Sequence, residues 1–220
     1  MNRLILKYAY PITVVILAIF AWVVYSRISR GWGEVVPLAV AAVIVWALGA
    51  PTFIYLWPRI IVYGFKRAIV RRGFSGGPIP VNTLYAEPSV SSASASTGSL
   101  MGTGTDDVLY VAGWLDLKNG PQVLHTPDTG GRYYSVQLTD PSTSANFAYV
   151  GKRATGTQVG DYLLSGPHWK GTVPNGMTQI PAPHNSVLVI GRVFVDGSGD
   201  QPIAYALARQ IQVAPLNPLS

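Results

Sequence analysis

Val108-Leu109-Tyr110-Val111-Ala112-Gly113-Trp114-Leu115-Asp116-Leu117, then the breaker Lys118-Asn119-Gly120-Pro121, then Gln122-Val123-Leu124-His125, reads as two strands joined by a turn. β-branched and aromatic side chains suit a pleated, half-buried surface, and Asn-Gly-Pro interrupts it. The same alternation continues outward. Asp128-Thr129-Gly130-Gly131 turns into Arg132-Tyr133-Tyr134-Ser135-Val136-Gln137-Leu138. Asn146 to Val150 follows Asp140-Pro141, and Tyr162-Leu163-Leu164 and Ser186 to Val195 come later. Short runs of this kind, separated by Gly, Pro and Asn, predict an all-β antiparallel sandwich, jelly-roll-like, over residues 81–216 rather than βαβ units. One short C-terminal helix is expected to close the chain. Asp200 can cap Gln201 to Gln210, Pro202 fits the first turn, and Ile203, Leu207 and Ile211 share one face.

Upstream the pattern is that of a membrane protein. Tyr8 to Ser26 is a 19-residue run without a charge, and Val35 to Pro58 is a 24-residue one. About 20 apolar residues cross a ~30 Å hydrocarbon core. The expectation is two N-terminal transmembrane helices, spans of about 8–26 and 35–58, forming a hairpin over residues 1–58 with a loop from Arg27 to Glu34. Trp22, Tyr25, Trp32, Tyr55 and Trp57 lie near the proposed ends, as an interfacial belt requires. A secretory signal is the competing reading of the first run. Against it stand the run's length, the lack of a small-x-small site before Arg27 and the second run that follows at once.

Charge supports the same division. Residues 1–72 carry nine basic side chains and one acid; residues 73–220 carry seven and nine, net −2. The basic balance of the whole chain therefore belongs to the membrane module, and the globular part lacks the phosphate-neutralising stripe of a nucleic-acid binder. The count of flanking cations puts both termini, and the domain, on the cytoplasmic side. Residues 59–80 form a basic juxtamembrane segment and linker. In it Arg59, Lys66, Arg67, Arg71 and Arg72 alternate with apolar residues. It reads either as an interfacial helix on anionic lipid or as a stop-transfer patch. Ser75-Gly76-Gly77-Pro78-Ile79-Pro80 ends the module. Val81 to Tyr85 is a strand or a docking segment, and the Ser/Thr/Ala/Gly tract 86–105 is expected as a flexible loop.

Charged residues make up 12% of the chain, about half the ordinary share, against 49% apolar residues, which excludes a disordered charged tail or a coiled coil. With no cysteine there is no disulfide or thiolate chemistry. His125, His168 and His184 have no metal-ligand spacing, and neither a metal nor a cofactor is expected. There is no G-x-S-x-G elbow, P-loop or dinucleotide fingerprint. Asp107, Asp116 and Asp140 are candidates for paired acid–base carboxylates, with strand-end and turn aspartates as the plainer reading. The polar–aromatic set Tyr110, Trp114, Arg132, Tyr133, Tyr134, Tyr149, Arg153 and Trp169 is the other candidate. One of Tyr133 and Tyr134 faces the core and the other can line a groove. Arg132 and Arg153 either hold an anionic ligand or pair with an internal carboxylate such as Asp116 or Asp140. The residues taken as ligand-binding candidates are Tyr110, Trp114, Asp116, Arg132, Tyr134, Asp140, Arg153, His168 and Trp169.

Trp114-Leu115-Asp116-Leu117, Gly120-Pro121, Gly131-Arg132-Tyr133-Tyr134, Asn146-Phe147-Ala148-Tyr149-Val150-Gly151, Gly166-Pro167, Trp169 and Gly191-Arg192, in this order, resemble the family called domain of unknown function 1254, over about residues 81–216. The resemblance implies a β-sandwich with jelly-roll character. It also implies a companion, domain of unknown function 1214, which is absent here and is expected as a separate chain. The usual family segment resembles Pro-Asn-Arg-Asp-Thr-Leu-Tyr-Ser, whereas this chain has Thr105-Asp106-Asp107-Val108-Leu109-Tyr110-Val111, without the Asn-Arg pair and two hydroxyls. Many members resemble exported or periplasmic proteins, so that side of the membrane stands beside the cytoplasmic one. Two functions remain: a membrane-anchored ligand- or protein-binding module, and a membrane-bound enzyme of hydrolase-like acid–base chemistry whose carboxylates assemble in the fold.

Overall fold

The structure, a computed structural model, describes residues 22–23, 25–26, 32–73, 77–90 and 105–216. The chain divides into two compact units, Met1–Ile60 and Ile61–Ser220. Helix α1, Trp32–Arg72, begins in the first unit and ends in the second.

Among the described residues one helical stretch, Ala39–Arg72, is long and apolar enough to cross a membrane, not two. Residues 22–23 and 25–26 are helical, and the remainder of the first expected span lies outside the described residues. The second span is longer than expected. Residues 32–34, expected in the hairpin loop, are already helical, and the helix continues through Pro51 and Pro58 to Arg72. A helical proline removes one backbone donor and leaves a carbonyl behind it unpaired. For Pro51 and Pro58 those carbonyls are Ala47 and Ile54; one residue on in each turn, Thr52 Oγ1 donates to the Leu48 carbonyl (2.7 Å) and Arg59 Nη1 to that of Tyr55 (2.5 Å).

The second unit is built on two sheets. Strands β1 (Tyr85–Ala86), β2 (Val108–Asp116), β4 (Tyr134–Asp140), β5 (Ala145–Gly151) and β8 (Ser186–Phe194) form a five-stranded antiparallel sheet in the order β1-β2-β8-β4-β5. Strands β3 (Gln122–Thr126), β6 (Gly160–Ser165), β7 (Thr178–Pro181) and β9 (Gln212–Pro215) form the second, in the order β7-β6-β3-β9. Strand β7 runs parallel to β6, so the second sheet is mixed and not wholly antiparallel. Between Ser165 and Thr178 the chain has the length to return to the start of β6, which a tight hairpin forbids.

Strand alternation builds the core. Leu109, Val111 and Leu115 of β2, Val187, Val189 and Val193 of β8, and Tyr134, Val136 and Leu138 of β4 join Leu124, Tyr162 and Leu164 of the other sheet in one buried cluster. On β2 the alternate residues are buried too, and a second, smaller cluster covers one of them, Trp114. Trp114 packs there with Ile69 and Ile79, and Val62, Phe65, Val70, Tyr85 and Leu188 lie around it. The last turns of α1 are thus part of the β domain. Val81–Tyr85 acts both as a docking segment and as the entry to a strand. The Asn82 side chain takes the Asp116 backbone N–H (2.7 Å) and gives to its carbonyl (3.2 Å), before Tyr85 and Ala86 pair with β2.

Three details differ from expectation. Ala86 belongs to β1 and the Glu87 N–H bonds the Tyr110 carbonyl, so the sheet extends into the start of the expected loop; residues 91–104 lie outside the described ones. Helix α2, Gln201–Ala208, does not close the chain, since β9 follows it. Asp200 stands at the N-cap but its carboxylate makes no cap bond, being taken up by Arg132.

Candidate functional site

The structure gives different partners to the two arginines that the sequence groups, Arg132 and Arg153. Arg132 is held from both sides. Its Nη1 donates to the Phe194 carbonyl (2.8 Å) and to Asp200 Oδ2, and its Nη2 to Asp200 Oδ1 (2.7 Å), with both side chains mostly buried. The hydrogen bond from Arg132, with the Asp196 backbone N–H, holds the Asp200 carboxyl down to about 2 from 3.8, and the same bond raises Arg132. Neither Asp116 nor Asp140 is its partner.

Asp140, 2% exposed, ends β4 and organises the turn into β5. It accepts from the Ser142 N–H (3.0 Å) and hydroxyl (2.8 Å), from Thr143 Oγ1 (2.9 Å), and faces His184 Nδ1 (3.0 Å). Burial alone would raise this carboxyl, but the Ser142, Thr143 and His184 bonds together lower it. Ser142 Oγ and Asp140 both lie against the same ring nitrogen, Nδ1. A nucleophile–base–acid relay needs them on opposite nitrogens, so this cluster is built as a turn clamp. Asp107 and His168 are exposed and make no bond to it among the described residues. Asp116 accepts from the Lys118 N–H (3.1 Å). His125 pairs with Asp161 (2.7 Å). Among the described residues no three His, Asp or Glu side chains gather as metal ligands.

Of the aromatics, Tyr134 is fully buried in the core, and Trp114, 1% exposed, donates from Nε1 to Ser186 Oγ (2.7 Å). Trp169 is half-buried in the turn after β6, where its ring lies against Gly171. Tyr110, Tyr133 and Tyr149 have a different setting. Across the outer face of the five-stranded sheet, register aligns Tyr110, Arg192, Ser135 and Gly151 in one row and Ala112, Ile190, Gln137 and Tyr149 in the next. Around the first row an open groove of about 490 Å³ is lined by Tyr133, Ser135, Tyr149, Arg153, Ala154 and Arg192, among others, and by no Asp or Glu. The Arg192 guanidinium lies 5.6 Å from the Tyr110 ring centroid, and that of Arg153 5.6 Å from Tyr133.

A polar chain orients this face. Tyr149 Oη accepts from Asn146 Nδ2 (2.7 Å), and Asn146 Oδ1 accepts from Thr139 Oγ1 (2.7 Å) and Gln137 Nε2 (2.9 Å). Gln137 Oε1 then accepts from Arg192 Nη1 (3.3 Å). Sequence reading missed Arg192, Gln137 and Ser135. Alternation in Ser186 to Val195 does put Arg192 opposite the valines, but its neighbours come from β2 and β4, far away in the chain.

The five expected membrane-surface cations are also divided. Lys66 lies half-buried, 5.6 Å from the Trp114 ring, and Arg59 lies over Tyr55 at 3.6 Å. Arg67, Arg71 and Arg72 are exposed on the final turns of α1.

Three comparisons bear on identity. The VPA0106 protein from Vibrio parahaemolyticus, a crystal structure, is similar with a TM-score of 0.58 and 22% identity, covering 74% of this chain and 37% of its own. At that identity it shows a shared fold, and this chain spans little more than a third of its length. An uncharacterized protein from Burkholderia cenocepacia matches with a TM-score of 0.36 and 17% identity, covering 52% of this chain and 31% of its own. No curated protein matches the sequence. Residues 81–215, which hold both sheets and the groove, match the family described as a protein of unknown function, and the chain belongs to that family, DUF1254.

Proposed function

We propose that this chain is a membrane-anchored, jelly-roll-like β-sandwich whose outer sheet face binds a ligand or a partner protein, without chemistry of its own. The observation that carries this reading is the groove, where exposed Tyr149 and two arginines stand on a face whose other end is closed by α1. An aromatic–cationic face on rigid strands suits recognition. The apolar length of Ala39–Arg72 supports the lipid bilayer as its setting, anchored by two spans with the domain cytoplasmic by charge count. A separate chain carrying the companion domain of unknown function 1214 is the partner proposed for the same module. The enzymatic alternative draws little support from a carboxylate clamped by Ser142, Thr143 and His184.

Two measurements test the reading. The full chain should pellet with membranes after an alkaline carbonate wash; release into the supernatant refutes the anchor. In neutral detergent, a screen of small aromatic compounds by thermal shift should find stabilisers whose effect is lost in Tyr149→Ala and Tyr133→Ala. Stabilisers that act on both variants as strongly as on the unchanged protein refute the groove.

A further inference from the structure

Arg153 and Arg192 are the unusual feature of the groove. In the pairs between described residues, Asp161 is bonded to His125, Asp200 to Arg132 and Asp140 to His184. Among the described residues neither Arg153 nor Arg192 has a carboxylate within ion-pair distance. Arg132 shows how this same fold satisfies a guanidinium that it means to bury, with two bonds to Asp200 and one to the Phe194 carbonyl. Arg192, half-buried, has one hydrogen bond among the described residues, to Gln137, and a guanidinium has five N–H donors.

From this contrast we infer that the groove is a site for an organic anion, a carboxylate or phosphate head on a flat apolar body. The inference rests on the binding reading above and adds the class of ligand. Two positive charges in a groove without Asp or Glu, within residues 73–220 whose net charge is −2, form a local field that selects anions. Gln137, held by Thr139 and Asn146, and the Tyr110 ring fix the Arg192 guanidinium before a ligand arrives. Pre-orientation of this kind lowers the entropy cost of a charge-assisted bond. Tyr133, Tyr149 and Ala154 supply the apolar walls for the body of the ligand. The anion can come from a soluble metabolite or from a lipid headgroup, since both present the same oxygens.

The experiment uses the full chain in dodecyl maltoside and four probes: phenyl phosphate, benzoate, benzyl alcohol and dioctanoyl phosphatidic acid, with calorimetric titration as the readout. Phenyl phosphate or benzoate should bind at least about tenfold more tightly than benzyl alcohol. Arg192→Met and Arg153→Met should each weaken the anion about tenfold or more, the loss of one charged hydrogen bond. Lys170→Met, which removes an exposed cation outside the groove, should not. Tighter binding of dioctanoyl phosphatidic acid than of phenyl phosphate identifies a lipid headgroup as the source, and the reverse a soluble one; both support the site. Equal binding of benzyl alcohol and phenyl phosphate, lost in Tyr149→Ala, overturns the anion while the groove stands. Anion binding unchanged in both arginine variants overturns the inference, and silence of all four probes overturns the groove with it.

Discussion

Arg132 and Asp200 meet across 68 residues as a two-pronged pair, Nη2 lying 2.7 Å from Oδ1, and join the start of β4 to the N-terminus of α2. The Phe194 carbonyl at the end of β8 closes the same knot. Three elements therefore depend on one guanidinium, whose geometry a lysine does not reproduce.

Arg132→Met should lower the midpoint of chemical unfolding clearly while leaving any ligand titration of the groove unchanged. Arg153→Met should show the opposite pattern, since that side chain is exposed at the groove and lies beside the Tyr133 ring. Unfolding curves and calorimetry on the two proteins check this; equal destabilisation by both would refute the separation.

Stability should depend on acid. Asp200 is held down to about 2 and Asp140 is lowered from its ordinary 3.8. A carboxyl whose folded pKa lies below its unfolded one stabilises the fold above the unfolded value and loses that contribution as pH falls through the folded one. Resistance to urea should therefore be level down to about pH 5 and fall between about pH 4 and 2. In Arg132→Met the fall should be shallower, because the Asp200 share is gone. A flat profile through this window contradicts the assignment.

Trp114→Ala should cost about 3–5 kcal/mol, the usual penalty for emptying a large buried aromatic site. It removes the contact of α1 with the sheet, where Phe65 meets the indole edge-on at 6.5 Å between centroids. Ser186→Ala, which removes only the acceptor for Nε1, should cost about 1 kcal/mol. Equilibrium denaturation in detergent orders the two; a reversed order refutes the packing role.

Gly151→Ala should destabilise more than Gly197→Ala. Both glycines have positive φ, +150° and +76°. An added Cβ at Gly151 would strike the Tyr134 carbonyl and Ser135 Cα of the paired strand, whereas at Gly197 it meets open space. Backbone strain alone accounts for about 1–3 kcal/mol at either site, and the Gly151 clash adds to it. Equal melting shifts of the two variants would show that strand approach at Gly151 is not limiting.

Much of the fold was legible because its signals are local. Runs such as Val108 to Leu117 and Ser186 to Val195 carry the two-residue alternation of strands, and the 24 uncharged residues from Val35 to Pro58 announce a long apolar helix. Other features were misread for equally local reasons. The second span was expected to stop near Pro58, where the charge-free run ends, but the helix continues to Arg72 because its last turns pack Val62, Phe65, Ile69 and Val70 against the Trp114 cluster. Gln212–Pro215 has no pattern of its own and is a strand only because β3 offers an edge. Asp200 looks like a cap from its neighbours, yet its stronger partner lies 68 residues upstream.

By itself, then, the sequence determined the family, the β character of residues 81–216, the apolar helix and the excess of cations near it. These follow from periodicity and composition, which are sums over neighbouring residues. Tertiary structure alone decided which arginine is spent on a carboxylate and which two line the groove, that Asp140 clamps a turn with His184, and that Trp114 receives the end of α1. Each of these is set by pairing between distant strands, and register is a cooperative property of the whole sheet that no local window contains.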